Sequence, residues 1–237
     1  MRLDKLLSNM GFGSRKEVKL LLKSKAVEVN GVFAKDVSMH VDTNADQIVV
    51  YGEEVIYTEF IYLMMNKPPG FISATEDKHD ETVIDLLDPL DQHFKPFPVG
   101  RLDKDTEGLL ILTNDGHLSH QLLSPKKHVP KLYFAKIEGR VTEEDIRKFK
   151  EGVTLEDGYF TKPGTLTILS SGEESEIELT IMEGKFHQVK RMFQAVGKRV
   201  TYLKRMKMGT LTLDEHLALG EYRPLTSTEL LALKQKE

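Results

Sequence analysis

The pattern of apolar and charged positions over residues 1–58 predicts a small module of two helices and a sheet. Apolar residues recur at helical spacing over residues 3–10. Ser14 is suited to cap a second helix, whose apolar residues share one face while its basic residues fall largely on the other. An Asn30-Gly31 turn then joins two short strands. The stretch "DQIVVYGEEVIY" predicts one further strand.

Beyond residue 60 the pattern changes to strands and helices that do not alternate regularly. The predicted strands are "FIYLMMNKPPG", "GLLILT", "KLYFAKIEG", "GTLTILSS", "EIELTIMEG", "VTYLKRM" and "GTLTL". The predicted helices are "TVIDLLDPL", "HLSHQLLS", "TEEDIRKFKEG", "HQVKRMFQAVG" and "TSTELLALK". Because no regular βαβ rhythm is present, we expect an α+β fold with a mixed, largely antiparallel sheet and flanking helices. The change of pattern predicts two domains, 1–58 and 60–237.

The composition is that of a folded protein and excludes several classes of chemistry. The 237 residues are 40% hydrophobic and 30% charged, and no apolar run approaches the length of a membrane span. The first residues lack the order of regions of a signal peptide, which predicts a cytoplasmic location. The absence of cysteine excludes disulfides, thiolate nucleophiles and cysteine-ligated metal centres. Carboxylates, hydroxyls, histidines or lysines must therefore carry any catalysis.

Basic residues are concentrated in two stretches of a chain whose net charge is −4. Residues 1–25 contain seven basic and two acidic residues, and residues 184–208 contain eight basic residues and no acid. One such cluster alone is more often a solvated lysine face. Two clusters, each with its own motif, favour a nucleic-acid partner in spite of the net negative charge.

An acidic loop precedes the apolar run "GLLILT". Its residues at positions one, three, five and six of an EF-hand pattern are Asp103, Asp105, Glu107 and Gly108. Asn114 at position twelve cannot supply the bidentate carboxylate, and the flanks are not helical, which disfavours calcium. Spacing alone leaves open an ordinary polar turn, capped by Asp103 or Asp105, between strands "FPVGRL" and "GLLILT".

The segment "GRLDKDTEGLL" resembles the central motif of the pseudouridine synthases, and the resemblance maps their catalytic aspartate onto Asp103. In the same motif, Thr106 and Gly108 are expected to shape the turn that presents this aspartate. The first 31 residues resemble the alpha-L RNA-binding module shared with a small-subunit ribosomal protein. "KLYFAKIEG", "EGKFHQVKRMFQAVG" and "GEYRPLT" match the family in order. The resemblance therefore implies a small N-terminal alpha-L module followed by a pseudouridine synthase catalytic domain.

The third motif, His187 to Arg191, is similar to that of the bacterial synthases that act on 16S rRNA. The resemblance implies isomerisation of one uridine of that RNA, uridine 516. The expected partner is 16S rRNA or a small-subunit assembly intermediate, with no membrane partner and with the protein a monomer. Two alternatives are a synthase of 23S rRNA and a catalytically silent RNA-binding or ribosome-assembly factor. Retention of Asp103, Tyr133 and Lys190 argues against the silent factor.

The reaction that the resemblance implies detaches uracil at N1 and rejoins it to the same ribose through C5, which needs no cofactor and no metal. Asp103 would attack the anomeric carbon or remove a proton from its neighbour, and the sequence does not decide which. Lys190 would be the cation that keeps this carboxylate ionised. Tyr133 would stack on the uracil and take the C5 proton. The sequence pattern without the resemblance favours a core position for Tyr133 and a place on an exposed helix face for Lys190.

Further residues are expected to contact the RNA. Leu203 would line the base pocket, although a core position explains it equally well. Arg101 would fill the space of the extruded base or bind phosphate, and a salt bridge is its plain alternative. The remaining substrate-binding candidates are His187, Gln188 and Arg191, with His187 read as an RNA contact rather than a metal ligand. The candidate RNA-binding residues of the first domain are Arg2, Lys5, Arg15, Lys16 and Lys19.

Overall fold

The structure is a computed structural model that describes residues 1–235, so the last two residues of the predicted second domain lie outside the described residues. The chain divides into two compact units. The first contains Met1–Ile61 and Pro89–Phe94, and the second contains Tyr62–Asp88 and the described residues from Lys95 onward. None of the helices within residues 1–235 combines the length and the hydropathy needed to cross a bilayer.

The first unit consists of short helices packed with a four-stranded antiparallel sheet. Its helices are α1 (Leu3–Asn9), α2 (Arg15–Lys23) and α3 (Pro89–His93). Its strands are β1 (Val27–Val29), β2 (Val32–Phe33), β3 (Ile48–Val50) and β4 (Glu53–Glu54), in the order β2-β1-β3-β4. Leu3, Leu6 and Val18 are fully buried together with the inward residues of β1 and β3. The helices and the sheet therefore share one core, as a module of this size requires.

Local turn chemistry explains the boundaries in this unit. The predicted cap of α2 is confirmed, because Ser14 and Glu17 form a reciprocal capping box. The predicted turn is confirmed as well, with positive φ angles of 52° at Asn30 and 74° at Gly31. The single strand expected over "DQIVVYGEEVIY" is wrong. Tyr51-Gly52, with φ angles of 53° and 85°, reverses the chain there and separates β3 from β4.

The second unit is built on a nine-stranded sheet. Its strands are β5 (Tyr62–Lys67), β6 (Phe97–Pro98), β7 (Glu107–Thr113), β8 (Lys131–Glu138), β9 (Thr165–Ser170), β10 (Glu174–Ile181), β11 (Arg199–Met208), β12 (Leu211–Thr212) and β13 (Tyr222–Pro224). Its helices are α4 (Gly116–Leu123), α5 (Glu143–Glu151), α6 (Gln188–Ala195) and α7 (Ser227–Lys234). The sheet order is β13-β5-β7-β11-β8-β10-β9, with β6 paired to β7 and β12 to β11.

All the strand pairs described in this sheet are antiparallel except β7 with β11. With seven helices among the described residues, this confirms the predicted α+β fold with a mixed, largely antiparallel sheet. The strand expected over "FPVGRL" is present as β6 but is confined to Phe97–Pro98, whereas the short edge strand β13 was not part of the sequence prediction. Each is only two or three residues long and bears no alternating pattern of its own.

The helix predicted over "TVIDLLDPL" is wrong. The segment forms turns instead, in which Asp85 N donates to Thr82 O at 3.1 Å and Leu87 N donates to Ile84 O at 3.0 Å. Pro89 disfavours a helical conformation at the residue before it, so a helix cannot continue through this segment. Pro89 does not end a helix but begins α3, where its missing N–H costs nothing.

The parallel contact between β7 and β11 depends on a glycine. Gly108 lies opposite Arg205 in the register and has a φ of 103°. A Cβ at Gly108 would lie 2.7 Å from Arg205 N and closer still to Arg205 O. Arg205 is buried and donates its Nε to Leu109 O at 2.8 Å. Glycine is therefore required here both for its backbone conformation and for its lack of a side chain.

We expect Gly108→Ala to destabilise the fold by more than about 4 kcal/mol, because the new methyl group meets backbone atoms that cannot move without breaking the sheet. Gly158→Ala is the matched control, since Gly158 also has a positive φ, of 81°, but a methyl group there would meet no atom within 4 Å. Its cost should be about 1–2 kcal/mol. Urea unfolding measures both, and equal losses would contradict the role assigned to Gly108.

Candidate active site

The loop that carries Asp103 is held from several sides. It connects β6 to β7, and Thr106 N donates to Asp103 O at 3.0 Å across its turn. Gly70 N donates to Lys104 O at 2.7 Å. The Ser73 hydroxyl both donates to Leu102 O and accepts from Leu102 N, each at 3.0 Å. These bonds tie the loop to the segment after β5, so that Asp103 is presented from a braced backbone.

Lys67, the last residue of β5, is the principal brace of this loop. Its side chain is fully buried, and its ammonium lies within hydrogen-bonding distance of four carbonyl oxygens. They are Pro68 O and Thr106 O at 2.9 Å, Asp103 O at 3.1 Å and Lys104 O at 3.4 Å. Burial lowers the pKa of Lys67 to about 8, an effect that the nearby carboxylates of the loop oppose. Sequence reasoning missed this residue, although a lone lysine at the end of an otherwise apolar strand was a usable signal.

Lys190, in the first turn of α6, lies beside two carboxylates. Its ammonium is 3.1 Å from Asp103 Oδ2 and 2.6 Å from Asp105 Oδ1. Burial lowers the pKa of Lys190, but the hydrogen bonds to Asp105 and Asp103 outweigh it and raise that pKa above its ordinary value. Asp105, in turn, has a lowered pKa, since the bond to Lys190 outweighs its partial burial. Lys190 is therefore a fixed cation that Asp103 shares with a more exposed acid.

His187 approaches the other oxygen of the same carboxylate. Its Nε2 lies 3.6 Å from Asp103 Oδ1, which becomes an ion pair only if the imidazole is protonated. His187 precedes α6 in a left-handed conformation, with φ 48° and ψ 33°. Its ring stacks on that of Phe186, with the centroids 3.7 Å apart. The bend before α6 thus brings His187 and Lys190 to Asp103 together.

A small pocket of about 60 Å³ opens at Asp103. Tyr133 from β8 and Leu203 from β11 form part of its wall, and both side chains are largely buried. The Tyr133 hydroxyl makes no hydrogen bond within residues 1–235. Arg101, also at the pocket, is exposed and forms no salt bridge with any described acid. The salt bridge considered as an alternative role for Arg101 is therefore not observed. The structure therefore brings Asp103, Tyr133 and Leu203 to one cavity with a free guanidinium beside it.

Two further residues that were predicted to contact the substrate bind other groups of the protein instead. Gln188 is buried, donates to Glu183 Oε1 at 2.6 Å and accepts from Lys185 N at 2.8 Å. Arg191 pairs with Asp157 at 2.6 Å. In this structure both side chains brace the segment before α6 rather than project toward solvent. Their assignment to substrate binding stays a prediction.

The predicted RNA-binding residues of the first unit differ in their partners. Arg2 is paired with the buried Asp4 at 2.8 Å. The others are exposed and make no salt bridge with a described acid, namely Lys5, Arg15, Lys16 and Lys19. The last three are exposed on α2, whose buried residues are Val18 and Leu22. The exposed face of α2 is thus an unneutralised cationic surface.

No three or more histidine, aspartate or glutamate side chains within residues 1–235 are grouped so that they could hold a metal ion. Asp103 and Asp105 point their oxygens at Lys190 rather than at a common cation position. The chemistry that this arrangement offers is that of a single carboxylate in a confined pocket, with a fixed cation on one side and an aromatic hydroxyl nearby.

The family model for RNA pseudouridylate synthase matches residues 61–195, and that for the S4 domain matches residues 1–46. The chain belongs to the RNA pseudouridylate synthase family. An uncharacterised RNA pseudouridine synthase of Bacillus subtilis is 56% identical to this synthase over 238 residues, covering 100% of both chains. This confirms the predicted enzyme class and the predicted N-terminal RNA-binding module.

Some similar proteins are named for the small ribosomal subunit and others for the large one. Ribosomal small subunit pseudouridine synthase A of Yersinia pestis is 40% identical to this synthase, covering 98% of both chains. Ribosomal large subunit pseudouridine synthase B of Bacillus subtilis is 39% identical, covering 98% of this chain and 95% of the relative. A crystal structure of a pseudouridylate synthase superposes with a TM-score of 0.69 at 38% identity, covering 98% of this chain and 99% of that one.

We expect Lys67→Met to lower the rate of tritium release from C5-labelled uridine in RNA by roughly 100-fold, because a loop displaced by about 1 Å misplaces Asp103. Faster hydrogen exchange at Thr106 N should accompany the loss. Lys131→Met is the matched control, since Lys131 has a pKa lowered by burial to about 8 but donates to a single carbonyl within residues 1–235, Val129 O. Full activity in Lys67→Met would refute the bracing role.

Proposed function

We propose that the protein isomerises one uridine of 16S rRNA to pseudouridine, with Asp103 as the catalytic carboxylate. The observation that carries this proposal is the position of Asp103 at a pocket with Tyr133, 3.1 Å from the Lys190 ammonium. We assign RNA binding to residues 1–58 and catalysis to residues 60–237, acting as a monomer in the cytoplasm, where ribosomal RNA is made into subunits.

The reaction balances without any added reagent. The bond between ribose C1′ and uracil N1 breaks, the base turns within the pocket, and a bond forms between C1′ and C5. The C5 proton is lost and N1 regains a proton, so neither oxidant nor reductant is needed. Asp103 acts at the ribose, either by attack on C1′ or by removal of a proton from the adjacent carbon.

Each neighbour of Asp103 has a separate task in this proposal. Lys190 supplies the positive charge that offsets the cost of an ionised carboxylate in a confined pocket. Tyr133 stacks on the uracil, and its hydroxyl, which has no other partner in the described chain, takes the C5 proton. Leu203 completes the apolar wall against which the base lies. The free guanidinium of Arg101 holds a phosphate or fills the gap left by the flipped base.

The choice of 16S rRNA, and of uridine 516 within it, rests on the third motif and on the small-subunit relative. Lysine at position 190 and the histidine-glutamine-valine run before it are typical of the 16S-directed subgroup. A synthase of 23S rRNA is the second candidate, because the large-subunit relative is almost as similar. A silent RNA-binding factor would not require Asp103 and Tyr133 at one pocket with Lys190 in contact with Asp103.

We expect Asp103→Asn to abolish pseudouridine formation while RNA affinity changes little, because the exchange removes the charge but keeps the size of the side chain. Carbodiimide treatment and primer extension on 16S and 23S rRNA transcripts and on isolated 30S particles map the product. One stop in 16S rRNA that depends on Asp103 supports the proposal, and a stop only in 23S rRNA overturns the substrate but not the chemistry.

Asp105→Asn is the matched control for this experiment. Asp105 contacts the same ammonium at 2.6 Å, but its side chain is 73% exposed and does not line the pocket. It should retain activity within about tenfold of the wild-type rate. If Asp105→Asn were inactive and Asp103→Asn active, the assignment of the catalytic carboxylate would be wrong.

We expect Arg15→Glu combined with Lys16→Glu to weaken RNA binding and to reduce the slope of affinity against salt, because the exposed face of α2 then neutralises fewer phosphates. The slope should fall by about one unit for each phosphate that is no longer bound. Filter binding between about 50 and 200 mM salt measures it. Lys150→Glu on α5 is the control, because it reverses the charge of a single exposed lysine elsewhere. If the slope of affinity against salt fell there by the same amount per reversed charge, a specific role for α2 would be contradicted.

A further inference from the structure

The aromatic side chain of Phe186 is mostly exposed to solvent, which is unusual for so large an apolar group. It is 74% exposed, more than any other large apolar side chain described in the second unit. Burying a phenyl ring stabilises a protein by about 1.5–3 kcal/mol, and this ring contributes little of that to the fold. A single exposed apolar residue is ordinary on a protein surface, so its significance depends on what surrounds it.

The ring is held in place rather than free to rotate into solvent. It stacks on His187, with the ring centroids 3.7 Å apart and the planes 20° from parallel. The left-handed conformation of His187 sets the direction of that stack. The backbone on either side is tied by Gln188 Oε1, which accepts from Lys185 N at 2.8 Å. Phe186 thus presents one flat face at a fixed position.

That position is the edge of the candidate active site. The residues on either side of Phe186, Lys185 and His187, both line the pocket, and His187 Nε2 is 3.6 Å from Asp103 Oδ1. Phe186 itself does not line the pocket. Arg101, exposed and without an acidic partner in the described chain, lies at the same opening. A flat aromatic face beside an unpaired guanidinium is the arrangement by which proteins hold single-stranded nucleic acid.

We propose that Phe186 stacks on the base of a nucleotide that flanks the target uridine in the RNA chain. The inference rests on the proposed function, since the target must leave its stack to reach Asp103. Extruding it separates its neighbours and costs a few kcal/mol. An aromatic face at the pocket edge replaces the missing stacking for one neighbour, while the pocket wall receives the uracil itself.

The test compares Phe186→Ala with Phe186→Trp on RNA fragments that contain the mapped target uridine. Phe186→Ala should raise KM by about 5- to 100-fold with kcat little changed, the range expected when one base no longer stacks. Phe186→Trp should retain the wild-type KM, because it keeps a flat face. Leu169→Ala, which trims another exposed apolar side chain on β9, should leave KM unchanged.

A second set of RNA fragments separates stacking from a structural role. Each carries one abasic nucleotide, either on the 5′ or on the 3′ side of the target. If Phe186 stacks on that base, the KM penalty of Phe186→Ala should disappear with one of the two fragments, as expected of groups in direct contact. An equal penalty on all fragments, or a loss in kcat alone, would mean that Phe186 merely supports His187 and would overturn the inference.

Failure of the proposed function gives a different result. In that case the wild-type protein forms no pseudouridine in any transcript or particle, and the inference falls with it. If the wild type is active while Phe186→Ala matches it in KM and kcat, only the stacking role is refuted. A partner protein as the occupant of this face would give that second result.

Discussion

The candidate active site depends on the close parallel contact between β7 and β11. Gly108 permits it, because any side chain there would collide with the backbone of Arg205. The loop that carries Asp103 leads into β7, and the helix that carries Lys190 leads into β11. Since parallel strands run in the same direction, the segments that precede them meet at one end of the sheet. The contact at a single glycine thereby brings together two groups that are far apart in the sequence.

Two lysines then hold the acidic loop in different ways. Lys67 is fully buried and contacts only carbonyl oxygens of the main chain, so it determines where the loop backbone lies. Lys190 contacts carboxylates and determines the charge that surrounds Asp103. Because Asp105 also binds Lys190, the ammonium keeps a partner whatever Asp103 does during a reaction. An arginine fork at position 190 would instead favour bidentate pairing with one carboxylate.

The sequence predicted what local chemistry determines. The cap at Ser14, the Asn30-Gly31 turn and most strands agree with the structure. The failures have local competitors that the pattern did not reveal, such as the successive turns over residues 82–87 in the segment that was expected to be a helix. Strand order and register were not predictable, because they depend on contacts such as Gly108 with Arg205 that join distant residues.

The candidate site was predictable only where a motif marked it. Asp103 and Tyr133 do line one pocket, and Lys190 contacts Asp103 from beside it, although their catalytic roles stay predictions. Lys67 belongs to no motif, because its partners are backbone atoms, and its only signal in the sequence is its place at the end of a largely apolar strand.

The way in which Lys67 holds the loop has a consequence for how such a site can change over generations. A carbonyl group is the same whichever amino acid bears it, so the ammonium binds the loop at positions 103, 104 and 106 without regard to the side chains there. Lys104 is exposed, and its replacement would leave the hydrogen bonds from Lys67 to the loop backbone intact. Residues that meet the RNA can therefore diversify at the rim while the catalytic geometry beneath them is inherited unchanged.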